Sequence, residues 1–265
     1  IGSSYPFMGT LSGNGNTISN LTINSGLGFF GHISGGIVND LNFYKLSVKG
    51  NSYATGGIAS ELSAGGQIDN CTLTECTIAC LDNQYSPEVG GIVARLSGST
   101  STISNCVVYK STINASTTYT GGSGSIGYAG GIVASYSSGT ITNCHVKDGS
   151  KIINVNADGS STLKTGALVG NVSGETTTSI TSNFYYYDDL EVGDTTFFTD
   201  VANENIETMC DLGFGLERLR WSTNKDKSYY DLYNESRNIS PQEKALMSAL
   251  ALLNSSVVIP SIRSP

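Results

Sequence analysis

The chain has 265 residues, a net charge of −8 and only 14% charged side chains, while glycine occupies 32 positions. No cluster of lysine and arginine could neutralise phosphates, so the composition argues against a nucleic-acid partner. The longest apolar run, Ala245–Leu253, is well short of the ~18 residues of a membrane span. The sequence opens in the middle of a repeat pattern at residues 1–4. We therefore expect it to be a piece of a longer chain.

Two six-residue patterns alternate over residues 1–186, the repeat region. The first reads apolar, any, Asn or Asp, Cys or Leu, any, apolar; the second reads Gly or Ala, apolar, apolar, small, any, apolar. Such regular alternation indicates a repeat protein. The first pattern fits Ile18–Ile23, Val38–Phe43, Ile68–Leu73, Ile103–Val108 and Ile141–Val146, and the second fits Gly28–Ile33, Gly57–Leu62, Gly91–Leu96, Gly131–Tyr136 and Ala167–Val172.

The spacing of these patterns separates a constant part of each repeat from a variable part. The interval from the second pattern to the next first pattern is nearly constant, as from Gly28 to Val38. The interval from the first pattern to the next second pattern varies: it is shortest between Ile18 and Gly28 and longest between Ile103 and Gly131. The constant interval predicts two strands joined by a fixed turn, and the variable one predicts a third strand followed by an inserted loop. Three short strands per repeat predict an all-β fold, a right-handed parallel β-helix forming a three-sided solenoid over the repeat region, with coils about 4.8 Å apart.

Period-2 alternation predicts which side chains point into the solenoid. The first residues of the first pattern are expected to stack as one inward column, made of Ile18, Val38, Ile68, Ile103 and Ile141. The third position is predicted to be a corner, because asparagine tolerates left-handed backbone geometry and stacked amides can hydrogen-bond to one another. We interpret these corner residues as structural and not as a ligand site: Asn20, Asp40, Asn70, Asn105 and Asn143.

Three of the six cysteines, Cys71, Cys106 and Cys144, share the fourth position of the first pattern. They are expected to form an inward column that Leu21 and Leu41 continue, and leucine at this position favours a core role for the cysteines. No metal site or cofactor is predicted, because the two histidines fall in different coils and no C-x-x-C pair is present. A disulfide between neighbouring coils stays open, since pairing cannot be assigned from sequence.

One family resemblance is carried by the first repeat. Residues Pro6–Ile23 resemble the opening of GLUG-motif repeat proteins, and Gly26–Ile33, with the sequence Gly-Leu-Gly-Phe-Phe-Gly-His-Ile, is similar to the motif that names the family. The resemblance covers residues 1–186 and implies a parallel β-helix of bacterial surface or secreted proteins, often adhesin-like. It also implies a scaffold without shared catalytic residues, so that no site can be transferred.

The C-terminal region, residues 187–265, is predicted to be a capping region with one or two helices. Ser240–Glu243 is a capping box with proline at the first helical position, which predicts a helix over Pro241–Leu253. A second helix is predicted over Asp200–Leu212, ending before a glycine. We expect Leu246, Leu250 and Leu253 to cover the last coil; the alternative is a small separate domain or a packing surface for another module.

No catalytic constellation is predicted. Enzymes with this fold that act on polysaccharides cluster acidic side chains on one face, and the candidates here are scattered: Asp82, Asp158, Asp188 and Asp189. Adjacent residues of a strand point to opposite faces, so Asp188 and Asp189 would not form an acid–base pair. A polysaccharide lyase or glycoside hydrolase is kept as the less favoured alternative.

The variable loops are the preferred site. Because all of them follow the third strand of a repeat, Lys49–Thr55, Leu81–Glu88, Ala115–Tyr128 and Asn156–Lys164 are predicted to leave at one corner and form a continuous ridge. Tyrosine beside asparagine and aspartate suits sugar rings and protein surfaces alike. The predicted binding residues are Tyr53, Asp82, Asn83, Tyr85, Tyr119, Tyr128 and Asp158.

Together these features predict an extracellular or cell-surface binding module, adhesin-like, that recognises a glycan or a host or neighbouring-cell protein through the ridge. Other modules of the same parent chain, or copies associating end to end, are further expected partners. The alternative is a structural solenoid segment of a surface fibre or filament. Seven Asn-x-Ser/Thr sequons fit a glycosylated secreted chain, but they also arise by chance in a sequence this rich in Asn, Ser and Thr.

Overall fold

The computed structural model describes the repeat region in detail. The described residues are 1–2, 4–24, 26–50, 54–80, 87–115, 127–146, 149–154, 164–173, 180–181, 184–185 and 199–200. Ile1–Asp200 form one unit of the chain and Val201–Pro265 a second. The predicted helix Pro241–Leu253, with its leucines, and all but the first residue of Asp200–Leu212 lie outside the described residues. The capping role and the boundary after residue 186 therefore stay predictions.

Short strands follow one another in coils. The first coil contains β1 (Thr10–Ser12), β2 (Thr17–Ser19), β3 (Thr22–Asn24) and β4 (Phe30–Ser34), and the second contains β5 (Ile37–Asn39), β6 (Asn42–Tyr44), β7 (Ser47–Gly50), β8 (Ala54–Gly56) and β9 (Ala59–Ser63). The third contains β10 (Gln67–Asp69), β11 (Thr72–Thr74), β12 (Thr77–Cys80), β13 (Glu88–Gly90) and β14 (Val93–Leu96).

The later coils repeat this order. The fourth contains β15 (Thr102–Ser104), β16 (Val107–Tyr109), β17 (Thr112–Asn114), β18 (Tyr128–Gly130) and β19 (Val133–Tyr136). The fifth contains β20 (Thr140–Thr142), β21 (His145–Val146), β22 (Lys151–Ile153), β23 (Lys164–Gly166) and β24 (Val169–Val172). The last described strands are β25 (Ile180–Thr181), β26 (Phe184–Tyr185) and β27 (Thr199–Asp200).

Each strand pairs in parallel with its equivalents in the neighbouring coils, which makes the unit an all-β solenoid. The first sheet has the order β1-β5-β10-β15-β20-β25, the second β2-β6-β11-β16-β21-β26-β27 and the third β3-β7-β12-β17-β22. The fourth is β8-β13-β18-β23 and the fifth β4-β9-β14-β19-β24. No helix in the described part of the chain is long and apolar enough to cross a membrane.

A full coil has five strands, so the prediction of three strands per coil is wrong. There are two reasons. The first pattern is divided by a corner at Asn70, whose φ of 53° separates β10 from β11. A further strand such as β13, which ends at Gly90, lies just before the second pattern and begins where the sequence predicted the end of a loop.

The predicted inward column is confirmed except for its first member. Val38, Ile68, Ile103 and Ile141 are directly paired in register and fully buried. Ile18 is instead paired with Phe43, and Leu11 takes the place above Val38. The extra turn at residues 13–16 delays the first coil, so the pattern match at Ile18–Ile23 falls one five-residue unit too late.

This error of one unit reveals a five-residue repeat in which the backbone turns left-handed once per unit. The first corner column is Asp40, Asn70, Asn105 and Asn143, with φ values of 51–53°. Asn20 was wrongly assigned to it. The asparagine belongs to a second corner column, formed by Asn20, Lys45, Glu75, Lys110 and Gly149, with φ values of 47–68°.

Five cysteines lie among the described residues as buried thiols, and four of them stand in two columns. Cys71, Cys106 and Cys144 follow Leu41 in the first column, as predicted, and each sulfur donates to the carbonyl oxygen two residues earlier at 3.2–3.4 Å. Backbone hydrogen bonds between coils place Leu21 in the other column, not this one, with Leu46, Cys76, Ser111 and Ser150. Leu21 was misplaced by the same five-residue unit as Ile18.

The corner before the fifth sheet depends on glycine. A Cβ added to Gly90 would lie 1.8 Å from the carbonyl oxygen of Val93, and Gly56, Gly130 and Gly166 are equally confined. We therefore expect Gly90→Ala to lower the free energy of unfolding by about 3 kcal/mol or more, because the backbone itself must shift. Gly9 is exposed, and a Cβ there would lie 3.5 Å from its nearest neighbour. Urea unfolding should show a change below about 1 kcal/mol for Gly9→Ala; equal effects of the two variants would contradict the packing described.

Burial raises the pKa of the Cys76 thiol to about 11. Because an unfolded thiol titrates near the ordinary value of 9.0, the neutral thiol stabilises the fold below pH 9, and this contribution of up to about 2 kcal/mol is lost as the pH rises towards 11. In Cys76→Ser the new hydroxyl can donate to the carbonyl oxygen of Thr74. The hydroxyl of Ser111 donates to the carbonyl oxygen of Tyr109 in the same way, one position along the same column. Urea midpoints measured from pH 8 to 11 should fall more steeply for the wild type than for Cys76→Ser, and parallel curves would refute this assignment.

Candidate binding surface

The variable loops all depart between the same two sheets. Strands β7, β12, β17 and β22 of the third sheet precede the insertions, and β8, β13, β18 and β23 of the fourth sheet follow them. The strands before the insertions stay in register, as shown by the paired residues Ser47, Thr77, Thr112 and Lys151. They do so although the number of residues between one of these positions and the next increases along the chain. The predicted common corner is therefore confirmed for the strands that carry the insertions.

The feet of the insertions are held by hydrogen bonds between coils. Tyr128 N donates to Pro87 O at 2.8 Å, and Lys164 N donates to Gly127 O at 3.2 Å. The Asn154 side chain joins two neighbouring insertions, since its Nδ2 donates to Gly127 O at 2.8 Å and to Lys164 O at 3.2 Å. One amide thus fixes the end of one insertion to both ends of the next.

Two columns of outward side chains lie beside these feet. The register of the fourth sheet aligns Ala54, Glu88, Tyr128 and Lys164, and that of the fifth sheet aligns His32, Glu61, Arg95, Ser135 and Asn171. Their inward neighbours, such as Val89 and Ala129, are fully buried. The surface next to the ridge is therefore polar and charged, over an apolar interior.

Pairs across these two columns fix the side chains in place. Arg95 binds Glu88 through two hydrogen bonds, Nε to Oε2 at 2.5 Å and Nη2 to Oε1 at 3.0 Å. Lys164 Nζ donates to Asn171 Oδ1 at 3.0 Å and lies 5.9 Å from the ring centroid of Tyr128. Partly exposed charges of this kind contribute little to the free energy of unfolding. Their main effect is to hold hydrogen-bond donors and acceptors in an ordered arrangement on the surface.

Tyr128 is the predicted binding residue that the structure describes. It is the first residue of β18, partly exposed, with Lys164 on one side and Glu88 on the other. Tyr53, Asp82, Asn83, Tyr85, Tyr119 and Asp158 lie outside the described residues, so their assignment to the site stays a prediction.

Sequence reasoning missed Glu88, Arg95, Lys164 and Asn171. A signal was present, because each pair is seven residues apart across the second pattern. The residue three places before the pattern's first glycine or alanine pairs with the residue four places after it. Extending the pattern towards the N-terminus would have aligned these positions from coil to coil, while their contact across the corner is visible only in the structure.

A serine–histidine contact on the same face does not have the geometry of a catalytic triad. His32 Nε2 lies 2.7 Å from Ser63 Oγ, and Glu61 Oε1 lies 3.9 Å from the same nitrogen. In a triad the carboxylate orients the imidazole through its other nitrogen. Among the described residues no group of three or more His, Cys, Asp or Glu side chains could hold a metal ion.

Comparisons with known proteins give one solved structure to report. No protein-family profile matches the chain, and no curated protein matches it. The chain is similar to a Bacteroides ovatus crystal structure described as a "putative immunoglobulin A1 protease", with 20% sequence identity and a TM-score of 0.48. The alignment covers 79% of this chain and 71% of that one. The solenoid assignment rests on the strand pairing itself.

Asn154→Ala should loosen the feet of two insertions. The carbonyl groups of Gly127 and Lys164 lose a donor, so we expect a loss of about 1–2 kcal/mol in the free energy of unfolding and faster hydrogen exchange of the Lys164 amide. Asn171→Ala is the matched control, since it removes one exposed contact to a lysine and should cost less than about 0.5 kcal/mol. Unchanged exchange at Lys164 in Asn154→Ala would show that the amide is not a clamp.

Proposed function

We propose that this chain is an extracellular or cell-surface binding module that recognises a glycan through the ridge of insertions and the polar surface at its base. The observation that carries the proposal is the placement of all the insertions at one corner, beside Tyr128 and its charged neighbours. The ring supplies an apolar face for a sugar, while Lys164, Glu88 and Asn171 supply charged and amide groups that hydrogen-bond hydroxyls. The surface location is proposed from the GLUG-motif resemblance of the first repeat alone, because no family profile matches the chain.

The fold makes the ridge a natural place for recognition. A longer surface loop adds only about 0.6 kcal/mol of closure cost per doubling, so insertions can change without disturbing the coils that carry them. A protein ligand would use the same tyrosine and polar groups and is the second candidate partner.

The ridge is tested by replacing residues 116–126 with a glycine–serine segment of equal length. Ala115 and Gly127 are kept because both are buried, and Tyr128 is kept because it begins β18. We expect the wild type to bind on glycan arrays or cell surfaces, and both this variant and Tyr128→Ala to bind about tenfold less tightly or worse. Gln67→Ala, exposed on the first sheet, is the control and should bind normally. The proposal fails if the wild type binds neither glycans nor cell surfaces, or if both ridge variants bind as tightly as the wild type.

A further inference from the structure

Lys164, at the foot of the fifth coil's insertion, is an exposed cation whose side-chain contacts are neutral. Its Nζ donates to Asn171 Oδ1 at 3.0 Å and lies 5.9 Å from the ring centroid of Tyr128. Ser135, the neighbour of Asn171 in the coil before, is uncharged as well. The salt bridges in the described part of the chain all belong to other cations. The positive charge of Lys164 therefore has no carboxylate partner among the described residues.

The carboxylate in the same column is too far away to neutralise this charge. Glu88 lies two coils from Lys164, about 10 Å at the spacing of parallel strands. Both of its oxygens already accept hydrogen bonds from Arg95. Because physiological salt screens exposed charges over about 8 Å, Glu88 has little effect on the ammonium group. An anionic ligand can reach Lys164 without displacing a salt bridge.

The charges are unevenly distributed over the two outward columns. Their acidic members, Glu61 and Glu88, belong to the second and third coils, and Arg95 of the third coil binds Glu88. The members from the fourth and fifth coils are Tyr128, Ser135, Lys164 and Asn171. This part of the surface has one positive and no negative side chain, although the whole chain has a net charge of −8. It attracts an anion that the surrounding protein repels, which favours one position for a charged ligand.

The ammonium group is also held in place before any ligand binds. A lysine has three N–H donors, and Asn171 Oδ1 accepts from one of them, so two remain for the oxygens of a ligand. A distance of 5.9 Å is at the outer limit of a cation–π contact, so the ammonium group does not cover the ring of Tyr128. A side chain that is already ordered loses less conformational entropy on binding. Cation and ring are thus presented together.

We propose that the ligand of this surface is an acidic sugar, whose anionic group binds Lys164 Nζ while its ring packs on Tyr128. This inference rests on the proposed function, since it names the class of glycan bound at the same surface. Lysine offers a compact charge with rotatable donors, which suits a carboxylate or a sulfate group. Charge-assisted hydrogen bonds are about twice as strong as neutral ones. The amide nitrogen of Asn171 adds two donors for neighbouring hydroxyls.

The test compares acidic glycans on an array with their methyl esters, which have nearly the same shape and no charge. We expect the wild type to bind the acid about tenfold more tightly than its ester, because the ester loses a hydrogen bond between charged groups. This preference should decrease as salt is added. Sulfated glycans form a second arm. Binding of sulfated instead of carboxylated glycans also supports an acidic sugar and identifies its anionic group.

Two variants remove the same charge from different places. Lys164→Gln should lower the affinity for the acid to that for the ester and leave ester binding unchanged. Lys45→Gln, exposed at the corner between the second and third sheets, is the matched control and should keep the full preference. Lys164→Arg retains the charge and should keep most of the preference. Circular dichroism of each variant checks that the fold is intact.

The inference and the proposed function fail on different results. A wild type that binds no glycan overturns both. Equal affinities for acid and ester, with binding that Tyr128→Ala still weakens, would leave glycan recognition in place and overturn the acidic sugar. A preference for the acid that Lys164→Gln does not reduce would overturn it too, because the anionic group would then bind elsewhere.

Discussion

Parallel stacking requires every coil to follow the same path, and the rest of the structure depends on this constraint. A backbone group can pair with the coils on both sides only if its equivalents lie directly above and below it. The path is held constant by corners of fixed geometry. Left-handed residues at Asn70 and Glu75 turn the chain from the first sheet to the second and from the second to the third, and glycines turn it into the fifth.

The same constraint determines where the sequence can vary. Residues added within the path would displace every later side chain from its column, so added length has to leave the path at a corner. In this chain it leaves mainly between the third and fourth sheets, where coils of increasing length still match strand for strand. The ends of the described insertions therefore lie beside an ordered polar surface, and this is the surface that we propose for recognition.

The repeat patterns predicted most of the solenoid because its core is periodic. Columns such as Val38, Ile68 and Ile103 and the cysteine column could be read from spacing alone. The number of strands was missed although the corner at Asn105 was predicted, because the residues on its two sides were counted as one strand and the strand that follows each insertion, such as β13, was counted as part of a loop. The first coil was misassigned because its five-residue units resemble each other and an extra turn at residues 13–16 hides the true start. At the site, Tyr128 was found by residue type, whereas Arg95 and Glu88 were missed because their pairing depends on a corner whose geometry the sequence does not show.

The most direct test of the account is a distance between coils that are far apart in sequence. Nitroxide labels are placed on Ser47→Cys and Lys151→Cys, with Cys210→Ser and the buried cysteines left in place. They should report a narrow separation of roughly 14 Å, which is three coil spacings of about 4.8 Å, because the insertions between the two positions leave the path without lengthening it. A broad distribution, or a separation beyond the range of dipolar broadening, would show that the insertions interrupt the stack and would contradict the account.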